Sequence, residues 1–185
     1  MTLAILGTGG HAKSIYDIVK KKKIYFFDNT KKKFKVGNRI FKVIGNHESM
    51  KNHKKKISKV ILAIGDNTIR KNYYNILKKN KFKFTTLVNP KSYSSFGSKI
   101  GEGCVVLQGS FINTDSIIGN NCIINSKALI EHDCRISEHC HISTNATING
   151  GVIVQSGCFI GSGSITKESI TIAKNSFIKA GSLVK

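Results

Sequence analysis

The second half of the chain repeats a six-residue pattern of apolar and polar positions. From Ile100 to Val184, every sixth residue is isoleucine or valine, with Thr166 as the single exception. The residue four places after each of these positions is almost always serine, cysteine or alanine. A period of six fits neither an α-helix nor a flat sheet, but it is typical of a parallel β-helix. We therefore predict a tube whose interior alternates one branched and one small side chain.

The cysteines follow the same repeat. All five occupy the small inward slot, at Cys104, Cys122, Cys134, Cys140 and Cys158. A zinc or disulfide interpretation would take Cys134, Cys140 and the nearby histidines His139 and His141 as ligands. We favour the interpretation that each cysteine is a small buried hydrophobic residue. The sequence therefore predicts no metal site here.

The first half shows alternating strand and helix patterns. A short apolar strand, Thr2–Leu6, runs into the glycine turn Gly7-Thr8-Gly9-Gly10-His11, and helical spacing follows over residues 12–20. A second strand over 24–27 ends at Asp28, and further strands are predicted at 60–64 and 82–88, with a helix at 69–77. This order is the βαβ arrangement of a nucleotide-binding sheet, whose ligand lies at the carboxyl edge of the strands.

Charge and composition divide the chain at about the same place. The first 99 residues carry 24 lysines and arginines against 4 acidic residues, whereas the remainder carries six of each. We predict a Rossmann-like domain over 1–88, a linker over 89–99 that contains Pro90, and a β-helix over 100–185. The fold class is thus an α/β N-terminal domain followed by an all-β parallel helix.

Composition also limits where and with what the protein works. No apolar run is long enough to span a membrane, and residues 1–10 do not look like a signal peptide, so a cytoplasmic protein without integral membrane contact is expected. Lysine runs at 20–23, 31–33 and 54–56, with tyrosines and phenylalanines nearby, raise nucleic-acid binding as an alternative. We favour a solvated lysine-rich face and no nucleic-acid partner, because the aromatic residues fit strand and helix cores.

Hexads such as Ile118–Ile123, of the form Ile-Gly-x-x-Cys-x, resemble those of the hexapeptide-repeat acyltransferases. Together with the Gly-x-Gly-Gly-His-Ala start, the Phe27-Asp28-Asn29 strand end and the Ala63-Ile64-Gly65-Asp66 turn, they make the whole chain resemble bacterial sugar-nucleotide acetyltransferases and sialic-acid O-acetyltransferases. The resemblance implies a left-handed β-helix, acetyl-CoA as co-substrate and a homotrimer.

The candidate catalytic residues lie in the segment Glu131-His132-Asp133-Cys134. His132 and Asp133 occupy no inward slot of the repeat, so both side chains can point outward into a groove. Histidine is the commonest general base near neutral pH, and an adjacent carboxylate can fix its tautomer. In the family that the chain resembles, such a pair is the base and its partner, which implies these roles for His132 and Asp133.

The resemblance also implies residues around the acetyl donor. His141 would lie near the thioester, Gly150 and Ser162 would line the coenzyme A groove, and Asn125 would face the acceptor. Because Gly150 follows His132 by eighteen residues, it should stack one coil above and offer a backbone N–H to the thioester oxygen.

The first domain would hold the nucleotide of the substrate. By resemblance, the contacting residues are Gly9, Gly10, His11, Asp28, Asn29 and Gly65. The glycines allow the backbone to approach a diphosphate, and Asp28 can accept a hydrogen bond from a base N–H. The family carries a second acidic residue where this chain has Asn29.

The expected function is transfer of acetyl from acetyl-CoA to the amine of a nucleotide-linked amino sugar, directly and without a metal. An alternative within the enzyme class is O-acetylation of sialic acid or a related sugar. A non-catalytic β-helix scaffold is the alternative outside that class. His47 and His139 show no supporting motif, and we expect both to be surface residues.

Overall fold

A computed structural model describes residues 2–20 and 23–185 of the chain. The chain divides into unit 1, Met1–Thr85, and unit 2, Thr86–Lys185.

Unit 1 is built on a mostly parallel sheet. It contains strands β1 (Thr2–Leu6), β2 (Lys23–Phe27), β3 (Lys33–Val36), β4 (Arg39–Gly45) and β5 (Lys59–Leu62), helices α1 (Gly10–Val19) and α2 (Asn67–Lys79), and a 3-10 helix, Ser49–Lys56. The strands follow the order β3-β4-β2-β1-β5, and only β3 is antiparallel to its neighbour β4. β1 pairs with β2 on one side and with β5 on the other, so the order in which the chain adds strands to the sheet reverses at β1. Ligands of open α/β sheets bind at such a reversal of strand order.

Local sequence explains these elements. Residues 3–6 of β1 are buried, which is why this central strand is a continuous apolar run. The inward stripe of α1 consists of Ala12, Ile15, Tyr16 and Val19. Helix α2 begins after Asp66, whose carboxylate accepts a hydrogen bond from the Ile69 N–H at 2.8 Å and so caps the helix.

Two parts of unit 1 differ from the sequence-based expectation. The β3–β4 hairpin and the 3-10 helix fill a stretch for which no element was predicted, because lysines interrupt its apolar pattern. The strand predicted over 82–88 is not continuous: Phe84 forms a single bridge with Val60, whereas Leu87 and Val88 pair with Val105 and Val106 in unit 2.

Unit 2 is a parallel β-helix of two-residue strands. In chain order these are β6 (Leu87–Val88), β7 (Tyr93–Ser94), β8 (Lys99–Ile100), β9 (Val105–Val106), β10 (Phe111–Ile112), β11 (Ile117–Ile118), β12 (Ile123–Ile124), β13 (Leu129–Ile130), β14 (Arg135–Ile136), β15 (His141–Ile142), β16 (Thr147–Ile148), β17 (Ile153–Val154), β18 (Phe159–Ile160), β19 (Ile165–Thr166), β20 (Thr171–Ile172), β21 (Phe177–Ile178) and β22 (Leu183–Val184). Every third strand joins the same sheet, so β6, β7 and β8 begin sheets I, II and III. Eighteen residues therefore make one coil of a three-sided prism.

The interior of the prism confirms the predicted repeat. The aliphatic slot is buried over most of its length, and isoleucines such as Ile112, Ile130 and Ile148 are fully covered. All five cysteines are fully buried, and none of them is in a disulfide. Burial raises the pKa of the Cys122 and Cys134 thiols, which disfavours the reactive thiolate.

The predicted linker over 89–99 has to be corrected. Tyr93 and Ser94 pair with Phe111 and Ile112 of the next coil, so this segment is part of the prism itself. Its aliphatic slot holds Ser94 instead of isoleucine, which is why the repeat could not be followed back through it.

We expect Cys134→Ser to keep the structure and the stability of the prism nearly unchanged, with a loss of about 1 kcal/mol or less. The Cys134 thiol lies 3.2 Å from the Asn149 carbonyl oxygen, and Ser116, one coil earlier in the same slot, donates to the corresponding Glu131 carbonyl at 2.6 Å. A serine at 134 can therefore make the same contact. Denaturant unfolding measures the change.

The matched variant is Cys134→Leu, which overfills the same slot and should cost about 1–3 kcal/mol. Equal stability of the two variants would contradict a tightly packed interior at this position.

Candidate active site

His132 and Asp133 occupy an outer corner of the prism. They connect β13 of sheet II with β14 of sheet III, between the buried residues Ile130 and Cys134. The corner is fixed from both sides, because the Asp133 N–H donates to the Thr114 carbonyl at 3.2 Å and the His132 carbonyl accepts from the next coil at 3.0 Å. The two side chains project outward, 57% and 63% exposed.

The two side chains form a hydrogen-bonded pair. Nδ1 of His132 lies 2.7 Å from Oδ2 of Asp133, so the proton on Nδ1 faces the carboxylate and Nε2 faces outward. The hydrogen bond to Asp133 raises the pKa of His132 against the opposing effect of desolvation, and the negative charges of Asp133 and Glu131 add to the rise. This arrangement suits a base that takes up a proton at Nε2.

Gly150 stacks on the His132 ring one coil later. A Cβ at Gly150 would lie 2.8 Å from Cε1 and 2.9 Å from Nε2 of His132, so only glycine lets the imidazole lie this close to the backbone. Within residues 2–20 and 23–185, the Gly150 N–H has no hydrogen-bond acceptor, whereas its carbonyl accepts from Ser169. A backbone donor is thus available beside Nε2 of the histidine.

His141 and Asn125 form a second polar pair, on sheet I. The Asn125 carboxamide oxygen accepts from the Ser126 N–H at 2.8 Å, which turns its Nδ2 toward Nε2 of His141 at 3.1 Å. His141 is buried, and its ring meets the edge of Phe159 with 5.0 Å between centroids. Nε2 of His141 therefore accepts a hydrogen bond, and in the neutral ring Nδ1 carries the proton.

The structure thus separates the predicted residues of the β-helix into two groups. His132, Asp133 and Gly150 share one corner, between sheets II and III. His141 and Asn125 lie on sheet I, which is opposite that corner in a three-sided prism.

Ser162 lies apart from both groups, on the corner between sheets I and II, where its hydroxyl is 2.9 Å from that of Ser143. His139, expected at the surface, is instead buried, with Nδ1 at 2.8 Å from Asn121 Nδ2.

In unit 1 the glycine turn lies at the carboxyl edge of the sheet. Gly7 has φ +102°, and a Cβ there would lie 2.7 Å from the Ala63 carbonyl oxygen, so this glycine is required by the fold itself. Gly9, Gly10 and Gly65 have open space where a Cβ would be. Helix α1 begins at Gly10, and the partly buried His11 lies in its first turn.

The Asp28 carboxylate joins the glycine turn to the residues that follow β2. Its Oδ2 accepts from the Thr8 N–H and hydroxyl at 2.9 and 2.6 Å, and its Oδ1 accepts from Thr30 and from the Lys31 N–H at 2.9–3.0 Å. Burial alone would raise its pKa, but these hydrogen bonds outweigh it and lower the pKa to about 2. The prediction that Asp28 accepts from a base N–H therefore does not fit, because five internal donors already occupy the carboxylate.

Asn29 belongs to a cluster that sequence reasoning missed. Its Oδ1 accepts from the His47 N–H at 3.2 Å and lies 3.0 Å from Nδ1 of the same residue, while its Nδ2 donates to the Tyr73 hydroxyl at 2.5 Å. The His47 ring packs on Tyr73 with 4.8 Å between centroids. His47 follows β4, a strand that was not predicted, so its position at this edge could not be recognised.

These residues border a shallow cleft at the point where the strand order of the sheet reverses. Its walls come from Leu6, Gly7, Asp28, Asn29, Ile64, Ile69 and Tyr73. The cleft therefore combines the glycine turn, the end of β2 and the start of α2, where an α/β sheet binds a nucleotide.

The part of the chain that the structure describes holds no group of three or more histidine, cysteine, aspartate or glutamate side chains that could bind a metal ion. Among the same described residues, no helix is long and apolar enough to cross a membrane.

Comparison with known proteins gives the same two-part division. Residues 2–77 match the family model of the PglD N-terminal domain, and residues 97–132 match that of the bacterial transferase hexapeptide (six repeats). A curated relative, UDP-N-acetylbacillosamine N-acetyltransferase of Bacillus subtilis (strain 168), is 35% identical over 111 residues. This match covers 57% of the present chain and 50%, or half, of the relative's length.

Two solved structures cover nearly the whole chain. PerB from Caulobacter crescentus, in complex with CoA and GDP-perosamine, has a TM-score of 0.93 and 28% identity over 100% of this chain and 89% of that one. The acetyltransferase domain of PglB from Neisseria gonorrhoeae, in complex with acetyl coenzyme A, has a TM-score of 0.91 and 25% identity over 99% and 92%. These matches and the sheet topology confirm the predicted fold class, a Rossmann-like domain followed by a left-handed parallel β-helix.

We expect Asp133→Asn to lower the pKa of His132, because the variant keeps the shape of the side chain and removes the charge that favours imidazolium. NMR titration of the His132 Cε1–H signal measures the shift. Glu131→Gln is the matched control and should lower the pKa less, since that carboxylate acts only at longer range. An unchanged pKa in Asp133→Asn would contradict the pairing.

Proposed function

We propose that the chain is a hexapeptide-repeat acetyltransferase with a PglD-type N-terminal domain, as the matches over residues 2–77 and 97–132 support, and that it transfers acetyl from acetyl-CoA to the amine of a nucleotide-linked amino sugar. The observation that carries the proposal is the His132–Asp133 pair, held on an exposed corner with Nε2 facing outward beside the Gly150 N–H. A structural β-helix has no need of such a pair at a corner.

The corner residues can perform direct transfer. Acetyl-CoA, as the co-substrate, supplies the thioester carbonyl. Nε2 of His132 removes a proton from the sugar amine while the amine nitrogen forms a bond to the carbonyl carbon of the thioester. The resulting imidazolium then gives a proton to the coenzyme A sulfur as the C–S bond breaks. Asp133 holds the ring and stabilises the imidazolium. The Gly150 N–H can donate to the carbonyl oxygen as negative charge develops on it.

The cysteines do not offer a second route. All five side chains are fully buried in the prism, and burial raises the pKa of Cys134, the one nearest to the pair in sequence. A thioester on the enzyme would need an accessible thiolate, so a one-step transfer fits the structure better. Five cysteines outside disulfides also suit a reducing compartment, and we propose that the reaction takes place in the cytoplasm.

The nucleotide is assigned to the cleft of unit 1. Open space at Gly9, Gly10 and Gly65 lets a diphosphate approach the backbone and the first turn of α1. PerB is described with GDP-perosamine and the Bacillus subtilis relative is named for a UDP sugar, so a nucleoside diphosphate is the expected carrier. The Asn29–His47–Tyr73 cluster, instead of Asp28, is available to contact the nucleoside.

A panel of UDP-, GDP- and dTDP-amino sugars, each mixed with acetyl-CoA, tests the function. Release of free thiol shows turnover, and mass spectrometry of the product locates the acetyl group. We expect one nucleotide to be preferred and the acetyl group to be on nitrogen. Acetylation of hydroxyl groups alone, or of sialic acid, would contradict the proposal in favour of O-acetylation.

We expect His132→Ala to lower kcat by about 10²–10⁴, the usual contribution of a general base, with little change in KM for acetyl-CoA. Asp133→Asn should have a milder effect, because the carboxylate acts only through the ring. Steady-state kinetics on the preferred sugar measure both.

Glu168→Gln is the control, since residue 168 lies on the same edge of the prism and has no proposed role. Near-normal turnover of His132→Ala would exclude this histidine as the base.

We also propose that the protein works as a homotrimer, as the resemblance implies. The opposite positions of His132 and His141 on one prism support this, because a neighbouring copy is needed to bring both residues to one acetyl donor. Cyclic symmetry would place the corner of each copy against sheet I of the next.

Mixing two impaired variants tests the trimer. If His132→Ala and His141→Ala chains are co-refolded in equal amounts, we expect about a quarter of wild-type activity, because about one site in four then combines both intact histidines. Each variant refolded alone is the control, and sedimentation equilibrium gives the mass. Activity no higher than the average of the two controls, or a monomeric mass, would contradict a shared site.

A further inference from the structure

The residues assigned above to acetyl transfer include none of the many lysines of unit 1. The first 99 residues hold 24 basic and 4 acidic residues, whereas residues 100–185 hold six of each. A general preference for lysine would have enriched both halves, so the excess belongs to unit 1.

The topology gathers many of them at one edge of the sheet. Because β1, β2 and β5 are parallel, their first residues lie together, and Thr2 and Leu3 pair with Lys23 and Lys59. We call this side of unit 1 the amino edge. The helices run back to it, so the C-cap Lys20 of α1 and the last residues of α2 also lie there.

Further lysines extend the amino edge on the side of β5. The 3-10 helix ends at this edge with lysines at 54–56, since the nearby Ser58 N–H donates to the Thr2 carbonyl at 2.9 Å. Lys83 lies next to the start of β5, where its carbonyl accepts from the Val60 N–H at 2.9 Å. These lysines are exposed to solvent. A favourable interaction with the helix dipole explains only the lysines that lie in the last turn of a helix.

Acidic residues do not balance this charge. Asp28, Glu48 and Asp66 follow β2, β4 and β5 and therefore lie at the opposite, carboxyl edge. Asp17 is the remaining acidic residue of unit 1, and it pairs with Lys20 at 2.8 Å. The amino edge is thus a nearly uncompensated positive surface, which attracts a surface of dense negative charge.

Two observations favour a membrane over a nucleic acid. Three aromatic rings of the described part of unit 1 lie under lysines, with ammonium groups 5.7–5.9 Å from the centroids of Tyr25, Phe82 and Tyr74, so one face of each ring is occupied by a cation instead of being open for stacking on bases. In addition, β4 begins at this edge with Arg39, and the next residue, Ile40, is 64% exposed. An apolar side chain beside basic ones is typical of proteins that bind the membrane interface.

We propose that the amino edge of unit 1 docks on an anionic phospholipid membrane, with its lysines on the headgroup phosphates and Ile40 entering the interface. Attraction of this kind grows with the number of lysines near the surface and is screened by salt. The contact is peripheral, and it leaves the carboxyl edge with the nucleotide cleft on the other side of the sheet.

Co-sedimentation of the full chain with lipid vesicles tests the proposal. We expect binding to phosphatidylcholine vesicles that contain phosphatidylglycerol, release by added salt, and no binding to phosphatidylcholine alone. The triple variant Lys55→Glu, Lys56→Glu and Lys79→Glu should weaken binding by about tenfold or more and leave acetyl transfer between free substrates unchanged. The circular dichroism spectrum checks that the variant is folded.

The matched control is Lys167→Glu, Lys174→Glu and Lys179→Glu, which changes the net charge equally but lies in unit 2. We expect it to bind vesicles as the wild type does. Equal loss of binding in both triple variants would overturn the proposal, because net charge alone would then be responsible.

A second variant tests the apolar contact. Ile40→Ser should weaken vesicle binding without changing its dependence on salt. A single-stranded RNA oligonucleotide is the competing ligand, and binding of RNA at a salt concentration that releases the vesicles would overturn the membrane assignment. Because neither readout uses acetyl transfer, the docking proposal and the proposed enzyme activity can fail separately.

Discussion

The close packing of the prism interior is the constraint on which unit 2 depends. Each coil must place three branched and three small side chains inside a narrow tube, and the buried isoleucines and cysteines meet that demand with almost no exposed area. An inward residue directs its neighbours in the chain outward, and each branched residue together with the small residue four places later fixes a corner between them. The position of His132 and Asp133 is therefore set by Ile130 and Cys134, which take no part in the chemistry.

The same constraint brings distant residues of the sequence into one site. Because a coil takes eighteen residues, Gly150 must lie against His132, and its missing side chain leaves the room that the imidazole ring fills. A corner with a larger residue at 150 would push the ring away from its place beside Asp133. The geometry of the proposed site is thus a property of the stacking of coils, and the position of the imidazole requires glycine at residue 150.

In unit 1 a single carboxylate has the corresponding structural role. Asp28 joins the glycine turn to the 30–31 turn through five hydrogen bonds and is held ionised by them, with a pKa of about 2. It shapes the carboxyl edge, while Asn29, His47 and Tyr73 present polar groups around it. Many of the other lysines of unit 1 lie at the amino edge, so the two edges of one sheet differ in chemistry.

The sequence by itself determined the elements whose signal is local or periodic. The six-residue repeat predicted the β-helix and the burial of all five cysteines, and the adjacent His132 and Asp133 predicted a hydrogen-bonded pair, because adjacency at a corner leaves little choice of geometry. Only the tertiary structure could decide what depends on strand pairing: that residues 93–94 complete a coil although Ser94 breaks the pattern, that His139 is buried, that Asp28 is occupied by internal donors, and that His47 meets Asn29 across the sheet edge. These outcomes depend on contacts between segments far apart in the chain, and residue type alone does not specify which donor or ring will reach which partner.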